Sequence, residues 1–251
     1  MSTRRDAYAA FAYAYDEALG KRFFNAARKL LDKELAKRPT IEKTHLDIAC
    51  GTGLALEYFA KRGWRSTGLD ASIEMLSIAR ARASRLVTGD FRALPLRGTF
   101  ARITCLYDSL NHVRERNDLV AVFKAMRRLM SSESFLFFDV NHPDIYPEIW
   151  GMAEPFVASG PDYHLEIATT YRKRDVTGLA RVTGWATLPD GTRAEIDEQH
   201  QQRAWKEREI TAALSDAGLA PADVISFDPY GEAEALGVDA VKLFYVCETA
   251  R

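Results

Sequence analysis

Between Thr44 and Val140, short apolar runs alternate with longer stretches whose apolar residues recur at helical spacing. Strands are predicted at His45–Ala49, Ser66–Asp70, Ser84–Thr88, Ile103–Tyr107 and Phe135–Val140. Helices are predicted between them over Leu54–Arg62, Ile73–Arg82 and Asp118–Met130. Several of the strands lack polar alternation, as expected for a parallel sheet covered on both faces. Right-handed crossovers then gather the C-terminal strand ends on one edge, where such sheets bind ligands.

Upstream, about Arg5 to Lys37 reads as helix, with Tyr8, Phe11 and Tyr15 on one face, and Pro39 ends it. Those aromatics either pack on a core or form a lid whose tyrosine hydroxyls reach a ligand. After His142-Pro143 the period changes to two. Antiparallel strands are predicted near Leu165–Lys173, Leu179–Leu188 and Thr192–Ala204, with Pro189-Asp190-Gly191-Thr192 as a hairpin turn. A helix at Lys206–Ala217, closed by Gly218, and strands near Asp223–Asp228 and Ala240–Glu248 resume the earlier pattern. The expected organisation is a lid over 1–40, a core over 41–144 and 206–251, and an antiparallel insert over 145–205. That insert either roofs a substrate site or forms a dimer face.

Composition changes this picture little. A chain of 251 residues with 47% hydrophobic and 27% charged residues fits one large globular domain with a subdomain. The net charge of -1 gives no pull toward nucleic acid or an anionic membrane. No apolar run approaches the roughly 20 residues that span a bilayer, and the N-terminus lacks the apolar segment of a signal peptide. Three dispersed cysteines in apolar surroundings point to a reducing, cytoplasmic setting. The five histidines do not pair at metal-ligand spacing, so no metal is expected.

Candidate chemistry sits at the predicted strand ends. His45-Leu46-Asp47-Ile48-Ala49-Cys50-Gly51-Thr52-Gly53 is a strand–glycine turn–helix unit whose backbone a ligand can approach closely. Asp70 follows roughly 20 residues after the glycines, where a carboxylate can accept both hydroxyls of a ribose, although Asp also commonly opens helices. The third strand is followed by Gly89-Asp90-Phe91, an acceptor beside an aromatic, although Asp90 taken alone reads more often as a turn residue. The fourth ends in Tyr107-Asp108-Ser109-Leu110-Asn111-His112, a polar and ionisable cluster.

Taken in order, Leu46–Gly53, Leu69-Asp70-Ala71-Ser72 with Met75-Leu76, and Gly89-Asp90-Phe91 resemble the successive motifs of class I S-adenosylmethionine-dependent methyltransferases. The resemblance implies a Rossmann-like, seven-stranded, mostly parallel sheet whose last strand is antiparallel. It implies that Gly51 and Gly53 approach the methionine part of S-adenosyl-L-methionine. Asp70 would hold the ribose hydroxyls, Asp90 the adenine amino group, and Phe91 and Met75 the ring. Asp47, Ala49, Ala71 and Tyr107 belong to the same expected cofactor-binding set. The segment Tyr8–Asp16 is similar to the N-terminal lid of glycine, sarcosine and sugar-amine N-methyltransferases. From that likeness Tyr15 is expected near the transferring methyl and Tyr8 near the cofactor carboxylate. His112 lies in a turn resembling one where a histidine faces the substrate, which makes it a candidate base; a capping or core role is the alternative.

The expected activity is methyl transfer to an amine or hydroxyl of a small molecule, with no nucleic acid or membrane partner and with a homodimer allowed. Tyr13, Trp150, Tyr163, Trp185 and His200 are candidate shapers of the acceptor pocket. Two other classes stay open: a dinucleotide-dependent oxidoreductase, disfavoured because Leu56 stands where a third glycine is wanted, and a non-catalytic cofactor-binding module.

Overall fold

The structure, a computed structural model, describes residues 8–151, 154–231, 233–234 and 237–250. The expected start of the first helix at Arg5 lies outside these residues. Tyr8 is a left-handed turn residue (φ 64°), and helix begins only at α1, Phe11–Tyr15. A π-helical turn, Asp16–Gly20, joins α1 to α2, Lys21–Lys37. The long helix buries Phe23, Ala27, Leu30 and Leu31, the three- and four-residue spacing that gives one apolar stripe.

Strands and helices then alternate: β1 Thr44–Ile48, α3 Leu54–Ala60, β2 Arg65–Asp70, α4 Ile73–Ala79, β3 Leu86–Thr88, β4 Arg102–Cys105, α5 Arg116–Arg128 and β5 Phe135–Asn141. The short helix α6, Ile145–Glu148, leads into β6 Phe156–Gly160, β7 Tyr163–Arg172, β8 Thr177–Thr187 and β9 Arg193–Arg203. The chain ends with α7 Glu207–Asp216, β10 Leu219–Phe227 and β11 Lys242–Thr249.

Seven strands form one sheet in the order β10-β11-β5-β4-β1-β2-β3. Only β11 runs against the rest, pairing antiparallel with both β5 and β10, as expected for the last strand. Every residue of β1, β4 and β5 is buried, because helices cover both faces. The predicted fourth strand is shorter than expected: it stops at Cys105, where Tyr107 and Asp108 both turn left-handed (φ 62° and 50°). The penultimate strand is longer, starting at Leu219, because an edge strand tolerates Pro221 at a register shift.

The insert is a separate sheet in the order β6-β7-β8-β9. Its edge strand β6 has no alternating pattern and so escapes sequence prediction. The hairpin at Gly191 forms as expected, with φ 84°. Alternate residues Leu165, Val182, Ala186 and Ile196 bury against Phe11 and Ala14 of α1. The insert therefore covers the N-terminal helix. Trp205, fully buried, donates its indole N–H to the Val113 carbonyl at 3.0 Å and fixes the exit of the insert to the core.

A polar cluster joins these parts. Asp139 on β5 is fully buried and accepts the backbone N–H groups of Tyr107 (2.5 Å) and Asp108 (2.9 Å). Lys242 on β11, also buried, pairs with Asp139 at 3.1 Å and with Asp108. Gln202 of β9 donates to Asp108, so the insert shares the same anchor. Breaking a buried pair strands the remaining charge. Asp139→Ala is therefore expected to destabilise the protein by about 3–5 kcal/mol in urea unfolding; a loss below about 1 kcal/mol would show that the cluster is dispensable.

Candidate active site

Beyond β1 the backbone passes through Ala49 (φ 55°), Gly51 (φ 53°) and Gly53 (φ 87°), three left-handed residues in five. A β-carbon at Gly51 would meet nothing closer than Met75 Sδ at 3.9 Å, so bare backbone faces open space there. Asp70, at the end of β2, accepts the Gly51 N–H at 2.8 Å and the Ser72 N–H at 2.8 Å, tying two strand ends together. The helix-opening role falls to Ser72, whose hydroxyl accepts the Met75 N–H at 3.1 Å. Burial holds the Asp70 carboxyl above the usual carboxylate range, against the pull of the Ser72, Gly51 and Ala71 N–H groups. Asp47 is buried beneath the turn and accepts the Thr104 hydroxyl at 2.5 Å. Burial pushes its carboxyl up to about 7.

Asp90 follows β3 and performs a turn role too: it accepts the Arg92 backbone N–H at 2.9 Å and is clasped by the Arg92 guanidinium. That hydrogen bonding holds its carboxyl below the usual range. Phe91 lies beside it in a short 3₁₀ turn. At the other end of the edge, Ser109–His112 forms a second 3₁₀ turn. The His112 ring hydrogen-bonds the Gln201 backbone of β9, and burial lowers its pKa from the ordinary histidine value. Tyr15 packs edge-on against Tyr107 and Tyr8, with centroids 5.6 and 6.0 Å apart. The Tyr8 N–H donates to Glu198 of β9 at 2.7 Å. Burial raises the phenols of Tyr8, Tyr15 and Tyr107 well above the usual range, so each stays protonated.

One cavity of about 700 Å³ joins these groups, a size suited to a small ligand. Its wall includes Asp47, Ala49, Gly51, Asp70, Ala71 and Met75 from the first two strand ends. Asp90 and Phe91 stand at one side; Tyr8, Tyr15, Tyr107 and His112 complete it. Gly53 is the one predicted residue away from the wall. It is the left-handed N-cap of α3, and a β-carbon there would press Ala79 of α4 at 3.2 Å, so its glycine serves packing.

Of the expected acceptor-pocket residues, His200 comes nearest, its ring 4.7 Å from Tyr8 and 6.1 Å from His112 by centroids. Tyr13 and Tyr163 pack between α1 and the insert, Trp150 packs on Tyr146, and Trp185 lies under the Arg193 guanidinium. Sequence reasoning missed Arg92 and Gln199 on the wall and Asp139 and Lys242 behind it. A lone charge inside each of two apolar strand patterns was the available signal for the last two. Among the described residues, no group of side chains could hold a metal ion and no helix is long and apolar enough to cross a membrane.

An α/β sheet with a glycine turn, two strand-end carboxyls and Phe91 on one cavity is an arrangement suited to a nucleoside-type cofactor. Comparison with known proteins sharpens this. The family described as a methyltransferase domain matches residues 46–133. The dTDP-4-amino-2,3,4,6-tetradeoxy-D-glucose N,N-dimethyltransferase of Saccharopolyspora spinosa is 30% identical over 77% of this chain and 77% of its own length. An S-adenosylmethionine-dependent methyltransferase from Clostridium acetobutylicum shares the fold over 98% of this chain and 100% of its own, with TM-score 0.78 and 20% identity. CalS10, an amino pentose methyltransferase from Micromonospora echinaspora solved with S-adenosylmethionine bound, superposes over 98% of this chain and 99% of its own, with TM-score 0.72 and 23% identity. The chain belongs to the class I S-adenosylmethionine-dependent methyltransferases.

Its cofactor is S-adenosylmethionine, and the cavity fits that group: open backbone at Gly51, a half-buried carboxyl at Asp70, an aromatic at Phe91. If Asp70 holds the ribose, Asp70→Ala loses charge-assisted hydrogen bonds of about 1.5–3 kcal/mol. Titration calorimetry with S-adenosylhomocysteine should then show a Kd raised roughly ten- to hundredfold; unchanged affinity would remove Asp70 from that role.

Proposed function

We propose that the chain transfers the cofactor's methyl group to an amine of a small molecule by direct displacement. The reading rests chiefly on the cavity running without a break from Asp90 and Phe91 to Tyr15 and His112. Cofactor and acceptor can thereby share one enclosed space. The relatives support the nitrogen acceptor: the Saccharopolyspora enzyme is an amino-sugar N,N-dimethyltransferase and CalS10 an amino pentose methyltransferase.

When bound, the cofactor supplies a methyl group on a good, neutral leaving group, so the protein's task is alignment and removal of one proton. Asp70 and Asp90 would hold the adenosyl end. Tyr15, kept protonated by burial and wedged between Tyr8 and Tyr107, orients the acceptor. His112, with its pKa lowered, is neutral at neutral pH and accepts the proton from the incoming amine. The covering insert and α1 exclude water from this end. The same geometry serves a hydroxyl acceptor, and the panel below separates the two.

Methyl transfer from labelled S-adenosylmethionine, screened against amino sugars free and nucleotide-linked, against peptide N-termini and against phenols, tests the reading. Label on the amino sugars upholds it; label on phenols alone overturns the nitrogen assignment. With a turned-over acceptor, kcat should rise with pH along a limb lying below about 6.5 and then stay flat, because the base form of His112 persists above its lowered pKa. His112→Ala should lose about 10²-fold in kcat together with that limb. An unchanged profile would leave His112 a capping residue.

A further inference from the structure

The π-helical turn Asp16–Gly20 carries an ionic latch that the functional reading leaves unused. Lys21 donates its N–H to the Asp16 carbonyl, five residues back, which widens the helix by one residue. Such turns are uncommon and concentrate at functional sites. This one sends two adjacent side chains to the cavity side: Tyr15 onto the wall, and Asp16 toward the glycine turn. Gly20 makes the room. A β-carbon at Gly20 would sit 3.1 Å from Tyr15 Cε1 and 3.3 Å from Asp16 Oδ1. Its backbone is ordinary right-handed helix, so glycine is there for space, at a helix cost of about 1 kcal/mol relative to alanine.

Asp16 is received by the core. Its carboxylate accepts the Thr52 hydroxyl at 2.5 Å and pairs with Arg82 just beyond α4 at 2.6 Å. The same guanidinium donates to the Thr52 carbonyl at 2.8 Å, between Gly51 and Gly53, and lies 3.7 Å from Glu57 of α3. Asp16 and Arg82 are both largely buried. Arg82 thus holds the glycine turn with one nitrogen and the N-terminal helix with another.

We infer that Asp16, Arg82 and Thr52 form a latch that fixes the N-terminal helix, and Tyr15 on it, to the cofactor-binding glycine turn. Arg82 and Asp16 are positioning residues: they act through the Thr52 carbonyl and the π turn. Because one guanidinium bonds both partners, a ligand that orders the glycine turn also orders the helix, and a docked helix in turn retains the ligand. The inference rests on the cofactor occupying this cavity, not on the identity of the acceptor.

Dissociation of S-adenosylhomocysteine from the full chain, by surface plasmon resonance, reads the latch, together with amide exchange over 11–20 with and without that ligand. Asp16→Asn and Arg82→Gln should each speed dissociation about tenfold, the effect of losing one charge-assisted contact. The double variant should be no faster than either single, since both break one unit. Arg82→Lys should recover part of the loss, and Gly20→Ala, which keeps both charges, should speed dissociation and exchange as the singles do. Single effects that multiply toward a hundredfold in the double would overturn the latch, as would unchanged exchange over 11–20 in Arg82→Gln. Exchange of the ligand-free variants reads the latch even if the unaltered protein bound no S-adenosylhomocysteine, an outcome that would instead fail the cofactor assignment.

Discussion

The buried contact between Asp139 and the backbone of Tyr107 and Asp108 is the constraint from which the rest of the site follows. Two consecutive non-glycine residues in the left-handed region cost about 1–2 kcal/mol each. Asp139 offsets this with two charge-assisted N–H bonds, worth about 1.5–3 kcal/mol each. The ledger favours the turn only while the carboxylate stays ionised in a dry interior. Burial pushes Asp139 the other way and the Asp108 charge adds to it, so its pKa stays raised although Lys242 and the Asp108 N–H oppose the rise. Lys242 itself would lose its proton on burial, but the Asp108 and Asp139 carboxylates more than reverse the effect. Lys242 and the two carboxylates thus depend on one another: they keep it protonated, and it offsets both the burial of Asp139 and the repulsion from Asp108.

That double turn stops β4 short and swings the chain into the 3₁₀ turn that carries His112. It places Tyr107 on the cavity wall while leaving Asp108 to meet Gln202 of the insert. Asn111, fully buried, extends the link: its side chain donates to the Arg203 carbonyl at 2.8 Å and accepts the Asn141 N–H at 3.0 Å. Core sheet and insert therefore meet through directional bonds as well as apolar packing. Apolar contact alone would let the insert slide; these bonds fix its register over His112.

That the strand-end residues share one cavity wall was largely legible in the sequence, and the packing at the Tyr15 and His112 end was not. Asp47, Gly51, Asp70, Asp90 and Phe91 sit at fixed short distances from strand ends, so local spacing predicts their common edge. Ser72 shows how such reading resolves an ambiguity: by capping α4 itself, it frees Asp70 from the cap. The insert strands β7 to β9 were visible in their period of two, but the face they present to α1 depends on tertiary packing. The π turn was invisible because Tyr15, Asp16 and Gly20 read as ordinary helix residues. Their meaning comes from Arg82, far off in sequence. Lys242 and Asp139 each look like an error in an apolar strand until β5 and β11 are paired.

The carboxyl groups around the cavity suit a cationic cofactor. Asp47 and Asp70 lie on its wall, and Asp108 and Glu198 act on the Tyr8 hydroxyl from behind. Lys242 is committed to Asp108 and Asp139, and Arg92 to Asp90. Burial raises Asp47 to about 7 and Asp70 above the usual range, so a bound cation would favour their ionised forms. The protonated tyrosines on the same wall present ring faces that also attract cations. A sulfonium cofactor is a cation, and near these carboxyls it would recover part of the stabilisation it loses on leaving water. A negatively charged group held close to the same carboxyls would be disfavoured, whatever the chemistry of the methyl acceptor.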